Sequence, residues 1–492
     1  MTESWTPAPP TLAALEAQIA RDLELLNAPP PDWTVARSGP DGRPLLDVAV
    51  VGAGMCGIAA ALSLKLKGIR NIRMLDDSDA GREGPWVTFA RMETLRSPKH
   101  LTGPAMGIPS LTFRAWYEAQ HGAAGWEALY KIPRQGWMDY LTWIREVTDL
   151  PVENGVSVAA VEPADGCVKL RLVTAEGSRT EYARRVVLAT GRGGAGGATI
   201  PEFVDRSLWH DLAAHTVEDI DFARLAQKRV AVLGAGASAW DNAACALEAG
   251  AARVDMYVRR PILPQINKSK ATVYPGFQWG YAALDDAARW EALVYLHDTQ
   301  APPPHETVLR ALAAGVMKVH LSAPMVEARR AGDRVHIRIA GWQDAAEADF
   351  LILGTGFQID LSASPATAAI APHAATWADR YVPPPALRRS GLGRYPYLGG
   401  GFELVERVGG ACPEIGRIHL FNIGATASHG ALTGDIPGIV VGAERLGIAV
   451  AKALFVEDYP QLFGRLKLFA EPELRTTPFF VADALPTADR LP

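Results

Sequence analysis

Near the start of the chain, Leu12, Leu15, Ile19, Leu23 and Leu26 recur at spacings of three and four. They form an apolar stripe on a short helix that docks on a larger body. Pro29, Pro30 and Pro31 end that helix, and a turn-rich stretch from Gly39 to Pro44 leads to a nearly continuous apolar run, Leu45 to Val51, the signature of a buried strand. From there the order strand, glycine-rich turn, alanine-rich helix, strand occurs twice. It appears as VAVVGAGMCGIAAAL from Val48 and as VAVLGAGASAWDNA from Val230. Between these, Val156 to Val187 alternates as short strands and closes on VVLATG, and Val335 to Phe357 repeats that logic and closes on LILGTGF. The pattern predicts an α/β fold with two dinucleotide-binding, Rossmann-like domains, the second inserted in the first. The expected boundaries are a helical extension over 1–46, the first part of the outer domain over 47–204, the inserted domain over 205–345, and the rest of the outer domain with a C-terminal segment over 346–492.

Composition narrows the function. The chain has 492 residues, and 49 Lys plus Arg against 54 Asp plus Glu leaves a net charge of −5, which argues against a nucleic-acid partner. With 48% hydrophobic and 21% charged residues, it has the make-up of a folded globular protein. Cys56, Cys167, Cys245 and Cys412 are far apart and form no CxxC pair, so neither a metal site nor a local redox dithiol is expected. The first twenty residues lack a basic region followed by an apolar run, and the most apolar late segment, Ile418 to Ala443, is broken by His419, Asn422, His429 and Asp435. A cytoplasmic protein without a membrane partner is expected.

The two glycine turns carry the first chemistry. Gly52, Gly54 and Gly57 form a full GxGxxG between a buried strand and a helix, where a pyrophosphate meets the positive helix N-terminus. Asp76, 24 residues past Gly52 at the end of the strand IRML, is placed to accept hydrogen bonds from an unphosphorylated ribose, as in FAD or NAD. In the second unit Gly234, Gly236 and Ala239 form GxGxxA, and the next strand ends in Arg259 and Arg260 instead of an acid. Guanidinium groups suit a 2′-phosphate, so the second site is expected to take NADPH and the first FAD. Gly191 and Gly356, which close the two strand-to-glycine turns, join the expected cofactor contacts.

One FAD site and one NADPH site in one chain resemble the class B flavoprotein monooxygenases, which include flavin-containing monooxygenases, Baeyer–Villiger monooxygenases and amino-acid N-hydroxylases. The resemblance covers nearly everything from Val48 to about Leu454. DDSDAGREGPW is similar to the family's segment ending Gly-Gly-Thr-Trp, with Trp86 at the tryptophan and departures at Gly84 and Pro85. The stretch from Asp349 through LILGTGF resembles the N-hydroxylase signature, with Gly354 and Phe357 as substitutions. Lys99 in KHLT, Asn267 in QINKSK and the His429–Gly430 pair also resemble N-hydroxylase positions, which implies substrate contacts from Lys99, Asn267 and His429. Asp435 and Pro437 fall where the family's last flavin-facing helix begins, Asp435 as its cap. Of the Baeyer–Villiger fingerprint only His215 survives, with Trp209, Asp211 and Asp219 at the other positions.

The resemblance implies a monooxygenase that inserts one oxygen atom from O2 into a small molecule through a C4a-oxygenated flavin, with N-hydroxylation as the expected outcome. Baeyer–Villiger or S-oxygenation by the same chemistry, and a non-oxygenating NADPH-dependent flavin reductase, are the alternatives. No acid–base residue is singled out, because a soft nucleophile needs little such help.

Overall fold

The computed structural model describes residues 11–482. The apolar stripe forms helix α1 (Leu12–Leu25), started by the Thr11 side chain accepting from the Ala14 N–H, and it buries Leu15 and Ile19. The main body begins with β1 (Leu46–Val51), α2 (Met55–Lys65) and β2 (Ile72–Leu75). Two amphipathic helices follow, α3 (Phe113–Ala128) and α4 (Arg134–Val147), then β3 (Val152–Glu153) and the meander β4 (Ser157–Ala164), β5 (Cys167–Thr174) and β6 (Gly177–Leu188). These strands assemble in the order β3-β2-β1-β6-β5-β4, with β1 parallel to both β2 and β6.

The inserted unit has its own sheet. Its strands are β7 (Ala213–His215), β8 (Arg229–Leu233), β9 (Arg253–Tyr257), β10 (Met317–His320) and, beyond a separate three-stranded sheet of β11 (Met325–Ala331), β12 (Arg334–Ile339) and β13 (Ala346–Ala348), the strand β14 (Phe350–Leu353). The order is β10-β9-β8-β14-β7, all parallel. The expected boundary at 345 is therefore corrected. The run FLIL pairs with β8 and β7, and Asp349 fixes it there by accepting the Arg229 N–H at 2.7 Å, so the inserted domain continues through Leu353. Its helices are α5 (Ala237–Glu248), the short α6 (Pro275–Gly280), α7 (Asp286–Thr299) and α8 (His305–Ala313). The last strand, β15 (Ile418–Leu420), returns to the first sheet beside β6, which completes the insertion topology.

The chain passes between the two domains twice, and the two crossings are hydrogen-bonded to each other. Thr199 N donates to Gly356 O at 2.8 Å, Gln358 N to Gly197 O at 3.0 Å, and Asp360 N to Ala195 O at 2.7 Å.

The 30-residue helix Ile439–Leu468 closes the outer domain. Its far half carries Glu457 and Asp458 into a buried ionic network. Arg184, on β6 and 1% exposed, donates to Asp47 at 2.9 Å and to Asp458 at 2.7 Å, while Arg185 and Arg417 each reach Glu457 at 2.6 Å and Arg37 reaches Asp458 at 2.8 Å. Burial alone would raise the Asp458 carboxyl, but the guanidinium groups of Arg184 and Arg37 hold it below the ordinary carboxylate range. Among the described residues no helix is long and apolar enough to cross a membrane.

Candidate functional site

The glycines of the first turn do two different jobs. Gly52 has φ +99°, and a Cβ there would lie 2.6 Å from Ala189 O; a Cβ on Gly57 would lie 1.9 Å from Gly52 O. Both positions are glycine because strand and helix backbones touch. Gly54 has an ordinary φ of −70°, and a Cβ there would meet only the Glu83–Gly84 backbone, at 3.6 Å or more. No protein atom requires a glycine at that point, so the space is left for a ligand's approach to the first turn of α2, whose N-terminus has no side-chain cap.

Asp76 is 7% exposed and accepts from Ala53 N at 2.7 Å and Ser78 N at 2.9 Å, with burial pushing its carboxyl up. A cofactor hydroxyl would use its remaining lone pairs. Trp86 packs edge-on against Trp137 at 6.1 Å, and its indole N–H is buried with no partner among the described residues, a donor in want of an acceptor. These features fit FAD.

The second turn repeats the division. Gly234 has φ +102° and is pressed against Gly354 O, whereas Gly236 has φ −69° and open space where its Cβ would stand. The GxGxxA variant also explains a departure noted in the sequence. A Cβ on Gly354 would lie 2.4 Å from the Ala239 Cβ, so an alanine in α5 demands a glycine on the facing turn.

Past β9, Arg259 is exposed and has no hydrogen-bond or ion-pair partner among the described residues, while Arg260 donates to Asp298 O at 3.2 Å. The Arg259 guanidinium is therefore left unengaged, as the expected contact to a 2′-phosphate requires. Arg259→Gln is expected to raise KM for NADPH by about tenfold to a hundredfold, the worth of a charged hydrogen bond, and to leave NADH nearly untouched. Steady-state kinetics with both nucleotides check this.

Between the domains lies a narrow cleft lined by Ser269, Thr272, Phe277, Gln278, His429 and Asp435 among others. Asn267 shapes it from below: its side chain accepts the Ser269 N–H at 3.1 Å and so starts the short turn Lys268–Thr272. The Lys99 ammonium is held by the end of α3, donating to Trp126 O at 2.6 Å and lying 4.8 Å above the Trp126 ring. Asp435 does not cap the following turn with its side chain, as the sequence suggested. A 3-10 turn, Ile436–Gly438, precedes the long helix, and the half-exposed carboxylate faces Arg192 at 3.6 Å. Gly191 and Gly356 sit at the turns that follow β6 and β14.

His429 is 2% exposed and fully engaged. Nε2 meets Gly399 O at 2.9 Å, Nδ1 meets the Arg445 guanidinium at 3.0 Å, and the ring stacks on Phe402 at 4.0 Å. Carbonyl and guanidinium together define the neutral Nε2–H tautomer. Burial, then Arg445, pushes its pKa down to about 3. Burial likewise holds His215, whose Nδ1 accepts from Val217 N, and His419 at about 4.

These three folded-state values lie below the ordinary 6.5, so unfolding takes up protons as pH falls through that range. Their contribution is complete about one pH unit above 6.5 and declines as pH falls through 6.5. Roughly 2 kcal/mol of stability should be lost between about pH 7.5 and 6, read as a fall in the urea midpoint.

Gln278 and Arg445 carry no motif, and sequence reasoning missed both. Arg445 donates to Gln278 O at 3.2 Å, to Trp279 O at 3.0 Å and to His429, bracing the inserted domain's α6 segment against the outer domain.

Two nucleotide turns on separate Rossmann-like sheets are the layout of a flavoprotein of the two-dinucleotide-binding kind. Residues 49–280 match the family model described as pyridine nucleotide-disulphide oxidoreductase. The chain is 41% identical over 450 residues to the FAD-dependent urate hydroxylase of Xanthomonas campestris pv. campestris, covering 91% of this chain and 94% of that one. It belongs to the family of that FAD-dependent hydroxylase and is a flavoprotein monooxygenase.

Among solved structures, the ornithine N-hydroxylase of Kutzneria sp. 744 superposes with a TM-score of 0.65 at 15% identity, covering 83% of this chain and all of that one. The L-lysine 6-monooxygenase of Pseudomonas syringae superposes with a TM-score of 0.62 at 20% identity, covering 83% of this chain and 99% of that one. These likenesses show a shared fold.

Proposed function

We propose that this monooxygenase hydroxylates urate or a closely related oxopurine. The observation that carries the reading is the 41% identity to a urate hydroxylase along 91% of the chain. The overall reaction balances as substrate–H plus O2 plus NADPH plus a proton giving substrate–OH, water and NADP⁺. When bound, NADPH supplies hydride and FAD the activation of O2.

The chain's own residues hold and orient. Gly54 and Gly236 leave room for the two pyrophosphates, Asp76 and the Trp86 N–H stand ready for FAD, and Arg259 for the 2′-phosphate. The cleft suits a flat anion better than an amino acid. Lys99, the residue that the motif resemblance assigns to an amino-acid substrate, spends its charge on the end of α3, and His429 is neutral. The Arg445 guanidinium lies behind the wall and favours negative charge in the cleft.

N-hydroxylation of an amino-acid side chain, with Lys99 and Asn267 as substrate contacts, is the second reading. The motifs around those residues and the fold shared with amino-acid hydroxylases favour it.

Oxygen uptake and NADPH oxidation measured with urate, ornithine and lysine separate the two, with ¹⁸O2 to follow the atom. Urate-dependent uptake that places ¹⁸O in a purine product is expected. Turnover and labelling of an amino acid alone would replace the first reading by the second.

A further inference from the structure

One cleft residue is fixed more firmly than its position in a loop-rich segment requires. Gln278, in α6 of the inserted domain, donates its side-chain Nε2–H to Pro437 O of the outer domain at 3.0 Å. A carbonyl only accepts, so the amide can face it only through nitrogen, and Oε1 is turned away as a fixed acceptor on the cleft wall. The main chain at the same residue is held twice more, Gln278 N donating to Tyr274 O at 3.1 Å and Arg445 donating to Gln278 O at 3.2 Å.

The neighbours complete a recognisable surface. Thr272 uses its hydroxyl hydrogen on Ser269 O at 2.8 Å, whereas the exposed Ser269 hydroxyl has no partner among the described residues and is free to donate in the cleft that it and Gln278 both line. Phe277, next to Gln278, supplies a flat apolar wall and is itself backed by Tyr281 at 5.3 Å. An acceptor and a donor beside an aromatic face match the edge of an oxopurine, where ring N–H and C=O groups alternate in one plane. The charged groups at the cleft include the Asp435 carboxylate in its lining, which Arg192 partly offsets, the Arg445 guanidinium bonded to His429, and Lys268 and Lys270 in the turn that carries Ser269 and Thr272.

We infer that Gln278 is the specificity-determining residue for the substrate, its locked Oε1 accepting a hydrogen bond from one ring N–H of the oxopurine. The inference rests on the urate reading given above. The amide orientation is set before substrate arrives, so the hydrogen bond requires no side-chain ordering on binding.

The test is equilibrium dialysis of urate and of its four mono-N-methyl derivatives against the FAD-loaded protein, wild type and Gln278→Met. Wild type should bind urate and discriminate against one methyl isomer by about tenfold or more, because that methyl replaces the recognised hydrogen. Gln278→Met should weaken urate binding by about tenfold to a hundredfold and erase the discrimination, with KM rising far more than kcat falls. Unchanged urate affinity, or the same methyl isomer still rejected by the variant, overturns the inference.

Thermal midpoint and FAD content show whether the variant is folded. If Gln278→Met fails there, Gln278→Glu serves instead. It keeps the size and an acceptor oxygen but loses the N–H to Pro437 and opposes an anionic ligand, so wild-type affinity in that variant would equally overturn the inference. Failure of the underlying reading shows separately, as a wild-type protein that neither binds nor oxidises urate.

Discussion

Gly57→Ala should yield a protein that no longer retains FAD. The new methyl would lie 1.9 Å from Gly52 O, a backbone atom that cannot swing aside as a side chain does. Either α2 withdraws from β1 or the turn opens, and both move the N–H groups that would face the pyrophosphate. An overpacked contact of this severity costs about 3 kcal/mol or more, equivalent to at least a hundredfold in cofactor affinity. The flavin absorbance of the purified protein and a thermal melt measure it. Gly54→Ala and Gly236→Ala are the informative contrasts, because their methyls meet no protein atom closer than 3.6 Å. Those variants should fold with the wild-type melting point and lose affinity only for the nucleotide at their own turn. A Gly57→Ala protein that purified yellow with unchanged stability would contradict the packing argument.

The second large effect concerns stability alone. Arg184→Met removes the cation that Asp47 and Asp458 share, leaving two carboxylates 3% and 0% exposed, one with only Arg37 and the other with no guanidinium. Breaking a buried ionic group in this way costs about 3–5 kcal/mol, chiefly the penalty of the charge left behind. Urea unfolding at pH 7 should show the midpoint falling with little change in slope. Replacing Asp47 and Asp458 by apolar residues in the same variant should recover part of the loss, since the strandedness of the carboxylates is then relieved.

Much of the architecture was legible because it is local. Strand, glycine turn and helix are adjacent in sequence, so VAVVGAGMCG and VAVLGAGASA announce two nucleotide units, and the apolar run of β15 returning to β6 completes the insertion. The boundary at 345 was not legible, because FLIL reads as a buried strand without saying which sheet will take it; that is decided by β8, more than a hundred residues earlier. The reason for Gly354, a substitution in the signature, was not legible either, because Ala239, remote in sequence, occupies the volume a side chain there would need.

At the site, the nucleotide glycines could be named from spacing, whereas Gln278 and Arg445 could not. Neither belongs to a motif, and what distinguishes them is a carbonyl at Pro437 and an imidazole at His429 that only the tertiary fold brings near. Lys99 shows the converse. Its sequence context suggests a substrate anchor, and the hydrogen bonds of its ammonium to two carbonyls at the end of α3 could not be read from that context.

The paired crossings at Ala195–Thr199 and Gly356–Asp360 bear on how such a chain could arise. Because the outgoing and returning strands are already bonded to each other, the outer domain experiences the whole inserted domain as it would a hairpin loop. The entropy of closing a loop grows only slowly with its length, so a module can be spliced in or cut out at that point with little thermodynamic consequence for the host. The junction is therefore the natural place for recombination, and the place at which an engineer could exchange one nucleotide-binding module for another.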